Sequence, residues 1–243
     1  YIIADRKTVS TANKIVDLAD SGIAVTSESA KSLVRFFAKL EQLNPELIPE
    51  TECVTRLGWI EQGEELQFSP YVSDITFDGN ADYKKQYESV KCCGKFDKWL
   101  TLVSSEIRQN NVIARVVFAA SLASVLVKPL GCNCFWLHLW GETESAKTVL
   151  TMVSASVWGN PEIGDFITTF NATVVGMEKT AAFYNNMPYI LDELQIINDK
   201  KDLDNLIYML TEGSGRSRGN KLGGLDAVPK WKNAVITTGE RPI

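Results

Sequence analysis

Gly141-Glu142-Thr143-Glu144-Ser145-Ala146-Lys147-Thr148 follows the apolar run Phe135-Trp136-Leu137-His138-Leu139-Trp140 and precedes a helix-forming segment, Val149 to Val157. A strand, a turn ending in Lys-Thr and a helix are the parts from which a phosphate-binding loop is made. Backbone N–H groups at the helix N-terminus surround a phosphate chain, the lysine ammonium reaches its outer end, and the threonine hydroxyl holds Mg²⁺. One letter departs from G-x-x-x-x-G-K-[ST]: Ala146 occupies the second glycine position. Alanine disfavours positive φ, so this reading expects Ala146 near right-handed helical angles, as the first residue feeding the helix.

About forty residues on, Met187-Pro188-Tyr189-Ile190-Leu191 ends in Asp192-Glu193. This reads as a second buried strand, placed beside the first, whose Asp192 orders the Mg²⁺ shell while Glu193 polarises the attacking water. The plainer alternative is that the two acids open the next turn or helix. Lys201 to Thr211 predicts an amphipathic helix with Leu203, Leu206, Ile207 and Leu210 on one face, running into the loop Glu212 to Asn220. Arg216 and Arg218 on that loop are the candidates for stabilising phosphoryl-transfer charge, from the same or a neighbouring subunit. The alternative is a solvated loop whose arginines meet nothing, or meet nucleic-acid phosphates. A last strand-like run, Ala234 to Thr238, places Thr238 as a γ-phosphate sensor, although threonine is also an ordinary strand residue.

The order of strand, loop, helix, acidic strand, helix, arginine loop and polar-tipped strand predicts an α/β fold: a P-loop ATPase core of AAA+ type with a parallel sheet flanked by helices. Ligands bind outside the carboxyl ends of such strands, where all these polar residues fall. Residues 1–90 read as a small α+β accessory domain, 91–130 as a helical bridge and 131–243 as the ATPase core, lacking C-terminal parts.

His138-Leu139-Trp140-Gly141-Glu142, Lys147-Thr148, the run Ser154-Ala155-Ser156-Val157-Trp158-Gly159-Asn160-Pro161, the Pro188–Glu193 strand and Ile236-Thr237-Thr238-Gly239-Glu240 resemble a bacterial, phage and mobile-element family. That family is catalogued as domain of unknown function 927 and described as a primase-associated helicase. The Trp-Gly after the loop is the most specific part, because phosphate chemistry does not require it. Gly58-Trp59 and Phe68-Ser69-Pro70 extend the resemblance into the first half. It implies an AAA+-type ATPase in the DNA metabolism of mobile elements, with Lys147, Thr148, Asp192 and Glu193 as nucleotide machinery.

Composition frames these readings. The 243 residues are 45% hydrophobic and 23% charged, enough for a sizeable core in a soluble chain. Cys53, Cys92, Cys93, Cys132 and Cys134 make no C-x-x-C pair, and with a single histidine they read as buried reduced thiols rather than a zinc site. His138, between Leu137 and Leu139, reads as a packed, hydrogen-bonded residue rather than a base. No basic segment followed by an apolar run opens the chain. Val112 to Val127 is too short to span a bilayer, and with Trp99, Leu100, Leu102, Val103 and Ile107 it predicts two packed helices closed by Pro129 and Gly131.

The first ninety residues predict a strand at Tyr1–Ala4, a helix at Thr11–Ala19 capped by Ser10 and stopped by Gly22, and an amphipathic helix at Ser29–Leu43 with Leu33, Phe36, Phe37 and Leu40 inward. Strands at 53–60, 65–68 and 71–77 follow, with turns at Gln62-Gly63 and Asp78-Gly79. Trp59, Phe68 and Tyr71 are core residues by this reading, with base stacking as the alternative.

A net charge of −5 is unlike a free-standing DNA-binding domain, so DNA contact must be local; a ring of subunits can line a central pore with a few basic loops, and Arg216, Arg218, Lys221, Lys230 and Lys232 are the candidates for them. The expected protein is an Mg²⁺-dependent ATP hydrolase, a helicase or translocase working on single-stranded DNA as a homo-oligomer, with a hexameric ring as its form, in a bacterial or phage-infected cytoplasm and not in a membrane. Two other classes stand beside it. One is a P-loop kinase with residues 212–220 as lid; the other is a non-catalytic nucleotide-binding assembly module, in keeping with Ala146 and the charges of Glu142 and Glu144.

Overall fold

The computed structural model describes residues 2–62, 65–71, 75–107, 111–196, 200–219 and 224–243. The chain forms two compact units, Tyr1–Glu52 and Cys53–Ile243. The division falls after Glu52, not near residue 90, because residues 53–90 pack with the larger unit.

In the smaller unit, α1 (Arg6–Val9) and α2 (Ala12–Ile15) lead through a 3₁₀ turn, Val16–Ser21, to Gly22, whose φ of 89° ends the segment as expected. Ser10 closes α1 rather than opening α2, whose N-cap is Thr11. Ile2 to Ala4 form no strand. α3 (Ala30–Leu43) buries Ala30 and packs Leu33, Val34 and Phe37 on Ile15, Leu18 and Val25. Phe36 and Leu40, expected inward, are 58% and 44% exposed. The inward face is centred on Ala30, Leu33, Val34 and Phe37 instead.

The larger unit opens with two small sheets. β1 (Cys53–Val54) pairs in parallel with β4 (Thr76–Phe77), and β2 (Gly58–Gln62) forms a hairpin with β3 (Glu65–Ser69). Asn185 and Asn186 hold the hairpin: Asn186 Oδ1 accepts from the Trp59 N–H at 3.0 Å, and Asn185 Nδ2 donates to Leu57 O at 2.9 Å. Trp59 meets Phe68 edge-on at 4.8 Å and its indole N–H donates to Val125 O. Trp59 and Phe68 are packing residues, whereas Tyr71, expected in the core with them, is 51% exposed and stacks on Phe68 from outside. Of the strand expected at 71–77, only Thr76–Phe77 is extended among the described residues; Gly63, in an expected turn, lies outside them.

α4 (Lys84–Ser89), α5 (Phe96–Leu102) with a π turn to Ile107, and α6 (Val112–Ser124) lead to the main sheet. Its strands are β5 (Phe135–Trp140), β6 (Thr168–Thr169), β7 (Tyr189–Asp192) and β8 (Ala234–Gly239), all parallel, in the order β5-β8-β7-β6. Every residue of β7 and β8 is buried. Parallel strands buried on both faces require cover on each side. α6 and α7 (Lys147–Ala155) pack together and against β8, while α8 (Val174–Tyr184) and α9 (Lys200–Glu212) pack together and α9 meets β5.

The acidic strand does not lie beside the loop strand. β8 pairs with β5 from Phe135↔Ala234 to Trp140↔Gly239, and with β7 from Tyr189↔Val235 to Leu191↔Thr237. β8 takes the place between them, where Ala234, Val235, Ile236 and Thr237 have no exposure. Complete burial of each large aliphatic side chain contributes about 2 kcal/mol, so this position makes the most of Val235 and Ile236.

Trp158-Gly159 has a structural cause. The Trp158 indole N–H donates to Ser121 Oγ at 2.9 Å, tying the end of α7 to α6. A Cβ on Gly159 would stand 2.2 Å from Ser89 O, and Asn160 N–H donates to that same carbonyl. Four of the five cysteines are exposed and only Cys134 is buried, so the expectation of buried thiols holds for that one residue.

Candidate functional site

The strand-to-helix turn at Gly141–Thr148 begins where β5 ends, and Lys147 opens α7. Two of its residues are left-handed, Glu144 at φ 64° and Ala146 at φ 61°, ψ 18°. Ala146 is therefore not right-handed as its side chain demanded. The turn keeps a glycine-type backbone there, at a cost of about 1–2 kcal/mol. Strain of this order persists where the surroundings over-determine the geometry.

Lys147 Nζ donates to Gly141 O at 2.8 Å, Glu142 O at 2.7 Å and Ser145 Oγ at 3.0 Å. The ammonium is thus folded over the turn's own carbonyls, at the mouth of the helix N-terminus. Thr148, next in the helix, points its hydroxyl to both oxygens of Asp192 at 3.3 Å.

Asp192 terminates β7 with 4% exposure, and Thr238 near the end of β8 has 2%. The Thr238 hydroxyl donates to Asp192 Oδ1 and accepts the Glu193 backbone N–H at 3.1 Å. Glu193 is exposed, with a left-handed φ of 68° that turns the chain sharply away from β7. One buried carboxylate therefore gathers hydroxyls from two other segments. The interposed β8 makes this possible, because its tip reaches both neighbours. Gly141 N–H donates to Gly239 O at 3.3 Å, and Thr143 Oγ1 donates to Glu240 at 3.1 Å. Glu240 was missed as a site residue; its one signal was a carboxylate just past a buried strand.

Oxygen donors of this kind suit a hard divalent cation. Mg²⁺ is typically held by one or two protein oxygens together with substrate phosphates, and Asp192 with Thr148 supplies such a pair. Among the described residues no group of three or more His, Cys, Asp or Glu forms a metal cage.

His138 is embedded as expected. Trp136 Nε1 donates to Thr237 Oγ1 at 2.9 Å, Thr237 Oγ1 lies 2.8 Å from His138 Nδ1, and His138 Nε2 lies 2.9 Å from Arg241 O. A carbonyl only accepts, so Nε2 carries the proton, and the Thr237 hydroxyl donates to Nδ1. Burial lowers the imidazole pKa below its ordinary value, and the bond to Arg241 opposes this.

The two arginines lie elsewhere. Residues 213–219 and 225–231 form an antiparallel ribbon of constant register. Trp231 N–H donates to Gly213 O, Gly215 N–H to Pro229 O and Asp226 N–H to Arg218 O, with bridges at Ser214↔Lys230 and Gly219↔Leu225. Arg216 and Lys230 are exposed on it. Arg218 pairs with Glu178 of α8. Lys232 donates to Cys132 O at 3.2 Å, and Lys221 and Asn220 fall outside the described residues. A separate cleft of about 560 Å³ lies between the N-terminus of α8 and α9, lined by Phe170, Thr173, Met177, Asp202 and Leu206.

A four-stranded parallel sheet flanked by helices, with its polar residues collected at the carboxyl ends of the strands, defines an α/β protein. The chain belongs to the family described as "Domain of unknown function (DUF927)", whose model matches residues 4–230. Among solved structures it is similar to "SCCmec type IV Cch - active helicase", with TM-score 0.65 and 22% identity over 97% of this chain. It spans 44% of that protein's length. No curated protein matches it. At that identity the likeness concerns the fold. No helix among the described residues is long and apolar enough to cross a membrane.

Proposed function

We propose that this chain is the nucleotide-hydrolysing core of a helicase- or translocase-type motor acting on DNA in a mobile element. The observation that carries the reading is the convergence of two distant segments on Asp192 at the end of the acidic strand, through the Thr148 hydroxyl and the Thr238 hydroxyl. In this reading Lys147 leaves the carbonyls of Gly141 and Glu142 and transfers its ammonium to the phosphates of ATP. The N–H groups from Gly141 to Thr148 bind the phosphate chain, and Ala146 keeps the left-handed angle that aims them. Thr148 and Asp192 would hold Mg²⁺, which supplies charge neutralisation for the transferred phosphoryl group. Glu193 orients water, with its backbone held by Thr238. Thr238 reports the occupancy of the Asp192 side of the site to β8.

Arg216 is the better placed of the two arginines to act on phosphate from outside its own subunit, since Arg218 already has a carboxylate partner. Assembly as a homo-oligomer, as a hexameric ring, would bring that ribbon to a neighbour's nucleotide or to single-stranded DNA in a central pore. The structural relative being named a helicase favours nucleic acid as the partner.

Hydrolysis of ATP with Mg²⁺, with and without single-stranded DNA, tests the reading beside Lys147→Ala. Turnover that rises with DNA and vanishes in the variant is the expected result. Nucleotide binding without turnover would favour the assembly-module reading, whose own support is the lysine already bound to loop carbonyls. Labelled phosphate transferred to an acceptor other than water would mark a kinase.

A further inference from the structure

Glu178 is a fully buried carboxylate that takes no part in the chemistry above. It lies in α8 with 0% exposure, and Arg218 Nη2 of the ribbon stands 2.5 Å from its Oε2. Its Oε1 has no hydrogen-bond partner among the described residues. Gly215 backs onto the same group, since a Cβ there would stand 3.2 Å from Oε2. A carboxylate without water needs a counter-charge, and the ribbon supplies it.

The placement of the pair gives it a consequence beyond stability. α8 runs through Asn185 and Asn186 into β7, which carries Asp192. The ribbon runs through buried Trp231 into β8, which carries Thr238. The pair therefore bolts together the two segments that feed the two strands of the site. It also leaves Arg216 and Lys230 as exposed cations of a ribbon whose base is anchored.

We infer that Glu178 is a positioning residue: through Arg218 it holds the ribbon of residues 213–219 and 225–231 so that Arg216 and Lys230 meet phosphate oxygens. This rests on the motor reading. The phosphates belong either to a nucleic-acid strand or to nucleotide on a neighbouring subunit.

The test is Glu178→Met/Arg218→Met in the full chain, beside the single variants Glu178→Gln and Arg218→Met. Arg218→Met leaves the buried Glu178 charge unpaired and Glu178→Gln takes the counter-charge from Arg218, so each single variant should lower Tm. An apolar pair of similar volume often restores stability, so the double variant should recover Tm. It should nevertheless lose function by about tenfold, a difference worth 1.4 kcal/mol. Weaker binding of a labelled single-stranded oligonucleotide, measured without nucleotide, assigns the strand phosphates. Retained oligonucleotide binding with lost ATP turnover assigns the neighbour's nucleotide. Wild-type binding and turnover in a double variant of recovered Tm would overturn the inference, leaving the pair a purely stabilising one. Should the double variant not fold, Arg218→Lys keeps the charge without the fork, and the same losses are expected of it. Amide exchange at Ser214–Gly219 separates the two levels. A wild-type chain with no turnover strikes the motor reading, whereas unchanged exchange in the variants strikes the anchor itself.

Discussion

Ala146 is the residue at which local preference and the site conflict. Its φ of 61° is one that glycine adopts without penalty. Ala146→Gly should therefore stabilise the chain by about 0.5–1 kcal/mol, even though glycine is otherwise the costlier residue in the unfolded state. A rise in the denaturant midpoint at unchanged m checks this; a fall would mean that the turn is not strained there. Glu193 offers a chemical test. Glu193→Gln should keep ATP binding, because Lys147, Thr148 and Asp192 remain, and should stop turnover. Normal steady-state hydrolysis in that variant would remove Glu193 from the mechanism. His138 offers a pH test. The fold lowers its pKa, so it favours the neutral ring, and its contribution is fully present above the unfolded value of about 6.5. That contribution falls away as pH drops through the folded value. Thermal stability should thus decline from pH 7.5 to 5.5, with a shallower decline in His138→Gln.

Among the elements, β8 decides most. Its insertion between β5 and β7 lets Thr238 touch Asp192 while Gly239 and Glu240 touch the Gly141–Thr148 turn. Thr238→Val keeps the shape of the side chain but leaves Asp192 Oδ1 and the Glu193 N–H without their shared hydroxyl. A loss of about 1–3 kcal/mol is expected from such a buried vacancy, read by chemical denaturation. α7 is held at its far end by Trp158 and Gly159, and Gly159→Ala would drive a methyl against Ser89 O. That change should cost about 1–3 kcal/mol, and unchanged stability would show that the 89–90 segment can withdraw.

At the scale of the whole molecule, the parts readable in advance were those carried by periodicity or by unusual residue pairs. The runs at Phe135–Trp140 and Ala234–Thr238 were legible as strands because they are short, apolar and bounded by breakers, and Lys147, Asp192 and Thr238 were legible because polar residues stop such runs. β6 and α8 escaped notice. Two threonines are too few to show a period, and α8 has apolar residues on most of its circumference with Glu178 among them. The small unit misled in another way: α3 has enough apolar residues to choose from that its inward face was settled only by what it packs against.

The sequence by itself determined the kind of fold and the residue types at the ends of its strands, because apolar runs, breakers and polar tips are local properties of a chain. Only the tertiary structure decided which strand lies between which, that Ala146 takes a left-handed angle, and that Arg218 faces Glu178 rather than lying free. Strand order is set by long-range pairing, which seats Val235 and Ile236 of β8 between two other strands, and the pairing of Arg218 with Glu178, 40 residues apart, follows from the cost of leaving the buried carboxylate alone in the interior.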